Sequence, residues 1–521
     1  MKYASLVGRL FVGFLIGNTI ADLAVAIAAP AWQNHAPQAA MILLLGGLGA
    51  FLGFGLWRLR YAPVATDVHG SAKWADARQV RASLGGSSGL IVGRENKRGG
   101  QLLRYAGPSH LLTIAPTRSG KGVGSIIPNL LTAERSILCI DPKGENTRVA
   151  FAARERLGPV YVFDPFDVSG VPSAAFNPLD RLEAHSLDVA EDGALLADAL
   201  VYDPPGQVGE AHWNEEAKAL IAGLILHAVS DGDQSARNLS RVRELLTLAP
   251  DRFHALLGGM QASGAANGLV ARAANRHLAK SGREAAGVLS SAQRHTHFLD
   301  SPRMSRVLGR SDFHFEDLKD GVVTVFLVLP PDRLNTHSRW LRLMVAQAIN
   351  ALSRSPAGPT APVLFLLDEF AALGRLEPVE RAFGLLAGYG VQLWPILQDM
   401  HQLWGTYGER AGTFLSNAGL VQVFNVADID TASWVSRSVG ATTVAYETAG
   451  TSTSRAPSQF FSTHTASTTT HLSRRDLLTP DEVMRLDSSL ELLLRQGQAP
   501  VVAQKVRYFA DPEFRGFQGR G

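Results

Sequence analysis

The sequence predicts an α/β protein: a parallel sheet buried on both faces, an all-α insertion within it, and a two-helix transmembrane hairpin ahead of it. Three observations carry this prediction. The stretch His110 to Leu131, HLLTIAPTRSGKGVGSIIPNLL, joins an apolar run to a helix-like run through a loop of small residues and one lysine. Val363 to Glu369, VLFLLDE, is continuously apolar and ends in two carboxylates, as a strand covered on both faces does. Further strand-length apolar runs alternate with helical patterns on either side of a segment, Asp180 to Arg310, in which no strand stands out.

Binding a phosphate requires backbone N–H groups turned inward, a helix N-terminus behind them and a mobile cation. Ala115, Pro116, Thr117, Arg118, Ser119, Gly120, Lys121, Gly122 and Val123 supply that arrangement. Against the pattern G-x-x-x-x-G-K-[ST], Gly120 and Lys121 match, Ala115 replaces the first glycine, and Gly122 replaces the hydroxyl that normally holds Mg²⁺. A Gly-rich turn that merely contains a lysine would read the same way. The acidic strand makes that alternative much weaker: Asp368 would hold the Mg²⁺ shell, directly or through water, and Glu369 would orient and deprotonate the attacking water. The two motifs together predict ATP hydrolysis. Val391 to Leu397 is a further strand, and the amide that follows it, Gln398, suits a γ-phosphate sensor of the kind RecA-like motors place beside the acidic strand.

A chain of 521 residues is too long for one ordinary core, so two or three units are expected. The net charge of +3 does not by itself point to nucleic acid, although a pI near 9.0 permits it. Cys139 is the single cysteine, which excludes an internal disulfide and fits a reducing compartment. Residues 1–60 differ in kind. Leu10 to Ala29 and Ala39 to Trp57 are each long enough to cross roughly 30 Å of hydrocarbon. Lys2 and Arg9 precede the first span, Arg58 and Arg60 follow the second, and the loop between them carries no Lys or Arg, so both ends are expected in the cytoplasm. Asp22 falls inside the first span and requires a polar neighbour or a proton; helix packing explains it better than an ion pathway. Ala26-Ile27-Ala28 resembles a signal-peptide cleavage site, but even after cleavage the second span would stop transfer.

In the soluble chain, residues 61–179 and 311–521 are expected to form the nucleotide-binding domain, and 180–310 the helical insertion. Tyr61 to Gly100 reads as a lead-in hairpin. Ser136 to Ile140 and Tyr161 to Phe163 are strands ending in Asp141-Pro142-Lys143-Gly144-Glu145 and Asp164-Pro165, which places Asp141, Lys143 and Glu145 near the nucleotide or a neighbouring subunit unless the turn merely closes on itself. Val322 to Leu329 and Leu420 to Val426 add strands. The insertion segregates its charge. Asp180 to Glu216 has ten acidic residues and one arginine, whereas Val270 to Arg310 has eight basic and two acidic residues, a net +6. Either the two halves pair, or Arg272, Arg276, Lys280, Arg283, Arg294, Arg303 and Arg306 form a DNA-holding surface. Thr451 to Ser473, with 13 Ser/Thr in 23 residues, reads as a mobile loop. Thr479-Pro480-Asp481-Glu482 opens a helix with a capping box, and Leu490 to Leu494 with Val501 to Phe509 forms a closing hairpin.

Paired N-terminal apolar spans, APTRSGKGVG, DPKGE, FNPL, the helical insertion, SDFHFEDLKDG, LFLLDEFAALGRLEPVERAFGLLAGYGVQLWPILQD and LLTPDEVMRL together resemble the type IV coupling proteins, the TraG-like ATPases of conjugation and type IV secretion. The resemblance covers nearly the whole chain. Members often read GKG, so Gly122 does not signal a dead site; Ser125 and water are candidates for the missing Mg²⁺ ligand. The resemblance implies a hexameric inner-membrane ATPase of RecA-like fold using ATP and Mg²⁺. It would receive a relaxase-bound single strand of DNA, or protein effectors, and pass them to a secretion channel. A RecA-like site is normally completed by a neighbour's arginine, for which Arg375 and Arg437 are candidates. Two other functions remain open: a docking receptor with nucleotide-controlled assembly, and a chromosome-type DNA translocase.

Overall fold

The computed structural model describes residues 67–202, 210–355, 358–454 and 463–517, with helical residues at 44, 46–49 and 51. Those last residues belong to the second predicted membrane span; the remainder of both spans lies outside the described residues. Among the described residues, no helix is long and apolar enough to cross a membrane. The chain divides into two compact units, one comprising Ala72–Gly440 with Asp476–Gly521 and the other Met1–Ser71 with Ala441–Arg475.

The larger unit opens with α1 (Ala77–Leu84), whose N-terminus is closed by a capping box between Asp76 and Gln79. Strands β1 (Leu90–Glu95), β2 (Leu102–Tyr105) and β3 (His110–Ile114) follow. A π-helical turn, Gly122–Ile126, leads into α2 (Ile127–Thr132), then β4 (Ile137–Asp141), α3 (Glu145–Glu155) and β5 (Val160–Phe163). The chain then becomes helical: α4 (Val189–Leu200), α5 (Ala211–Val229), α6 (Leu239–Leu246), α7 (Pro250–Gln261), α8 (Leu269–Leu278), α9 (Gly282–Thr296), α10 (Pro302–Leu308) and the short α11 (Asp317–Asp320). Strands return with β6 (Thr324–Val328), α12 (Pro331–Arg354), β7 (Val363–Leu367), α13 (Glu377–Leu385), β8 (Val391–Leu397), α14 (Met400–Tyr407), α15 (Ala411–Asn417), β9 (Ala418–Phe424) and α16 (Ile429–Val439).

The smaller unit contributes β10 (Ala441–Ser454) and β11 (Thr463–Asp476); α17 (Pro480–Met484), β12 (Leu490–Leu494) and β13 (Val501–Gln504) complete the larger one. Eleven strands form one sheet in the order β2-β1-β13-β12-β9-β3-β8-β7-β4-β6-β5. From β9 to β5 every neighbouring pair is parallel. From β9 outward through β12, β13, β1 and β2 the pairs are antiparallel. Sequence pattern predicts the parallel part; of the antiparallel extension beyond β9 it predicts only separate hairpins.

Alternation along the strands builds two cores. Leu112, Ile114, Leu138, Ile140, Phe365 and Leu367 face the helices of the insertion and α12, while Leu111, Cys139, Val162, Phe326, Leu366 and Ile396 face α2 and α3. Side chains of this size contribute about 1.5–3 kcal/mol each when fully buried, which locks the register of the strands and so the positions of the loops at their carboxyl ends. Within the insertion α5 is central, packing against α4, α8 and α9, with Ile221, Leu224 and Ile225 wholly buried.

The Ser/Thr-rich stretch differs from its sequence reading. On either side of residues 455–462, which lie outside the description, it forms the two long strands β10 and β11 rather than a loop. Tyr446 stacks on His471 with ring centroids 5.3 Å apart, and Thr448 Oγ1 donates to the carbonyl of Thr469. Thr has high β propensity and its polar hydroxyl tolerates water, so such a ribbon forms with little apolar burial.

Candidate nucleotide-hydrolysis site

The site lies at the carboxyl ends of β3, β8 and β7, adjacent strands in that order. All of β3 is buried, and at its end the Ala115 N–H donates to the Leu397 carbonyl of β8 at 2.7 Å. The loop turns with Arg118 at φ 64° and Gly120 at φ 96°, conformations costly for most side chains and natural for glycine. A Cβ placed on Gly120 or Gly122 meets nothing within 4 Å, so the loop encloses space on the side where a phosphate chain would lie. Ser119 Oγ is buried beside it without a hydrogen-bond partner among the described residues. A polar orphan, an open cradle and a helix N-terminus fit a polyphosphate.

Lys121 Nζ lies 2.8 Å from Asp368 Oδ1 and 3.0 Å from Glu369 Oε1. Burial works to lower the Lys121 pKa, but the two carboxylates prevail and the ammonium is held charged. Asp368 is shifted upward, chiefly by burial, with Lys121 opposing. Glu369 sits in left-handed backbone, φ 53° and ψ 43°, and its N–H donates to Asp368 Oδ1 at 3.0 Å. A non-glycine residue held there is backbone strain at a functional position. Gln398 Nε2 donates to Glu369 Oε2 at 3.1 Å, while the Gln398 N–H is fixed by Gln402 Oε1 at 2.9 Å. Lys121, Asp368, Glu369 and Gln398, scattered over 278 positions of sequence from 121 to 398, are thus one hydrogen-bonded cluster.

Ser125 is not a Mg²⁺ ligand here. Its hydroxyl is fully buried and donates to Gln422 Oε1 at 3.0 Å, on the core side of the helix. Thr113 Oγ1 donates to the same oxygen at 2.9 Å, and Gln422 Nε2 donates to Glu491 Oε2 at 2.7 Å. Burial pushes Glu491 up to about 8, so the carboxyl is protonated at neutral pH. Asp368 and Glu369 are the acids that face the P-loop lysine.

One contact escaped the sequence reading. Lys505, just after β13, donates from Nζ to the Ser119 carbonyl of the P-loop at 2.8 Å and to Asn425 Oδ1, and lies over the Phe424 ring at 4.7 Å. Burial lowers it to about 8 against the pull of Glu491. No motif marks it; it reaches the loop because β13 returns beside β12.

Other predicted residues fall elsewhere. Asp141 is buried, accepting from the Thr147 N–H at 2.7 Å and Thr147 Oγ1 at 2.8 Å, so it closes the start of α3, while Lys143 and Glu145 are exposed. Arg375 lies 3.5 Å from Glu380 and lines a cavity of about 240 Å³ with Asp198, Glu215, Lys218 and Arg381. Arg437 is exposed on α16, its Nε donating to the Ser433 carbonyl at 3.2 Å. Neither arginine joins the Lys121 cluster of its own chain. Of the basic residues in the insertion, Arg276 and Lys280 both pair with Glu216 at 2.7 Å, Arg294 with Glu210 at 2.7 Å, and Arg303 with Asp167 at 2.6 Å. Arg272, Arg283 and Arg306 are exposed and in no ion pair among the described residues.

A P-loop, an acidic strand end and an amide between them, on adjacent parallel strands, define a P-loop ATPase of RecA-like architecture. Residues 73–520 match the family described as type IV secretory system conjugative DNA transfer, and the chain belongs to that family, the type IV coupling proteins. It is 30% identical over 500 residues to the conjugal transfer protein TraG of Escherichia coli, covering 86% of this chain and 78% of that protein. It is 30% identical over 483 residues to VirD4 of Rhizobium rhizogenes, covering 86% of this chain and 66% of that one. Among solved structures, the bacterial conjugative coupling protein TrwB, in its unbound form, superposes with a TM-score of 0.63 at 16% identity, over 88% of this chain and 99% of that one. TrwB in complex with the ATP analogue ADPNP superposes with the same TM-score at 15% identity, over 88% and 98%. At these identities the likeness is one of fold.

Proposed function

We propose that this coupling ATPase of conjugation and type IV secretion is a motor, one that uses ATP to drive single-stranded DNA and its attached relaxase, or protein effectors, into the secretion channel. The observation that carries the reading is the cluster of Lys121, Asp368, Glu369 and Gln398. The amides from Ala115 to Val123 bind the phosphates, and Lys121 shifts from the carboxylates to the β- and γ-phosphate oxygens. Mg²⁺, when bound, supplies neutralisation of charge on those oxygens; the residue to hold it is Asp368, through water. Glu369, released from Lys121, orients the attacking water and takes its proton, while Gln398 reports whether the γ-phosphate is present through its bond to Glu369. TrwB has been solved with ADP and Mg²⁺, which supports the same pair of cofactors here.

The finer features extend this reading. The soluble part comprises the nucleotide-binding domain, 61–179 with 311–521, and the helical insertion 180–310. Six copies form a ring, in which Arg375 or Arg437 reaches a neighbour's γ-phosphate. The apolar spans at 10–29 and 39–57 anchor the ring in the inner membrane, with the ATPase in the cytoplasm. DNA-stimulated turnover tests the motor. With the full chain in a membrane mimetic, single-stranded DNA is expected to raise ATP turnover severalfold. Turnover indifferent to DNA would instead favour a docking receptor whose nucleotide only sets its assembly.

A further inference from the structure

The chain beyond β13 runs along the flank of the P-loop. Lys505 Nζ binds the Ser119 carbonyl at 2.8 Å, the Val506 carbonyl comes within 3.1 Å of where a Cβ on Gly124 would stand, and the Tyr508 N–H approaches the Val123 carbonyl at 3.5 Å. This gives the segment a definite place along a bound nucleotide. Glu369 and Gln398 mark the γ-phosphate end and Lys121 the β- and γ-phosphates, while P-loop amides cradle the α- and β-phosphates. The nucleoside therefore leaves the loop past Gly122 and Val123, on the side occupied by residues 505–509.

At that point the chain presents an aromatic ring that the fold leaves largely uncovered. Phe509 is 59% exposed, whereas Phe514, five residues on, is fully buried. Its exposure is not that of a loose end. The Ala510 and Asp511 N–H groups both donate to the Arg507 carbonyl at 2.9 Å, and the Arg507 N–H donates to Asp511 Oδ2 at 3.1 Å. Arg94 of β1 ties the turn down through Asp511 at 3.1 Å and Glu513 at 2.9 Å. Tyr508, half-buried against the core beneath α2 and α3, meets Phe509 edge to face at 5.7 Å and limits its swing.

We propose that Phe509 is the base-stacking wall of the nucleotide site, taking the purine of ATP against its exposed face. The inference rests on the ATP reading above. A ring of this kind contributes affinity through the π-face of the base and reads none of its hydrogen-bonding edges. It would therefore set affinity for nucleotides over bare polyphosphate, with Lys505 as a positioning residue that holds the Ser119 carbonyl away from the phosphates.

The test compares ATP with inorganic tripolyphosphate, which presents the phosphates without a base, as ligands of the full chain in detergent. Phe509→Ala is expected to weaken ATP binding about 10-fold and leave tripolyphosphate binding unchanged, with Phe509→Trp restoring the wild-type value. Since Phe509 is exposed, these variants should fold, and unchanged tripolyphosphate binding would itself show that the P-loop is intact. Equal ATP affinity in wild type and Phe509→Ala overturns the proposal, and so does an equal loss for both ligands, which would make the turn a support of the P-loop instead. A wild-type chain that binds neither ligand overturns the P-loop reading itself, and this proposal with it.

Discussion

The P-loop region and the helical insertion both concentrate charge, but they use it in opposite ways. Around the P-loop the charges are few, enclosed and shared: Lys121 serves two carboxylates, and the neighbouring Glu491 and Lys505 are both driven to about 8 by burial. In the insertion they are numerous and lie nearer the surface: the exposed Arg276 and the largely covered Lys280 converge on Glu216, and Arg294 meets Glu210 in the open. An enclosed charge that loses its partner has no water to turn to, whereas an exposed pair is worth only about 0–1 kcal/mol. Segregation of charge in the sequence therefore says less about function than one lysine in a loop whose backbone admits little else.

The largest effect is expected in the cluster itself. Glu369→Gln should keep ATP binding and lose turnover by about 10²- to 10⁴-fold, the usual range for a general base. Lys121→Ala should instead weaken binding, because it removes the cation of the phosphate site while sparing the glutamate. Steady-state turnover with equilibrium ATP binding separates the two; near-wild-type turnover in both variants would remove the cluster from the chemistry.

The enclosed system also predicts a pH dependence of stability. Burial, opposed by the Gln422 bond, raises the Glu491 carboxyl from its ordinary value of 4.5 to about 8 in the fold. Between these values the folded chain holds a proton that the unfolded chain has lost, so stability should fall as pH rises, by up to about 1.4 kcal/mol per unit, and level off above 8. Glu491→Gln keeps an acceptor for Gln422 and removes the titration. Thermal midpoints of the two proteins measured from pH 5 to 9 should diverge as pH rises, the variant becoming the more stable. Parallel curves would mean that Glu491 is ionised in the fold.

What was legible in the sequence was what local chemistry dictates. VLFLLDE has to be a strand covered on both faces, and APTRSGKGVG has to turn where Gly120 turns. Gln398 could be found because it ends the next strand. Ser125 was misplaced because sequence distance from Lys121 does not say which side of the helix a side chain takes; four residues on, it faces Gln422. Gln422, Glu491 and Lys505 carry no signal at all, since only the antiparallel pairing of β9, β12 and β13 brings them behind the P-loop. The β10–β11 ribbon was missed for a different reason. Reading low apolar content as a loop assumes that strands must bury something, and a two-stranded ribbon of Thr and Ser buries very little.

The smallest effect is the one that best divides the two regions. If the insertion holds DNA through phosphates, the cations free to do so are Arg272, Arg283 and Arg306, which form no ion pair among the described residues, rather than Arg276, Lys280 and Arg294, already neutralised by Glu216 and Glu210. Each phosphate contact on a single strand contributes about −0.7 to the slope of log affinity against log salt. Replacing the first trio with Ala should therefore flatten the slope by about two units, and replacing the second should leave it nearly unchanged. Binding of the full chain to unstructured single strands at several salt concentrations gives both values. Equal flattening would mean that the ion pairs open on DNA, so that the acidic half of the insertion acts as a competitor for the strand. No flattening in either would move the strand away from the insertion and toward the ATPase ring, leaving the charge segregation to explain only how α5 is held against α8 and α9.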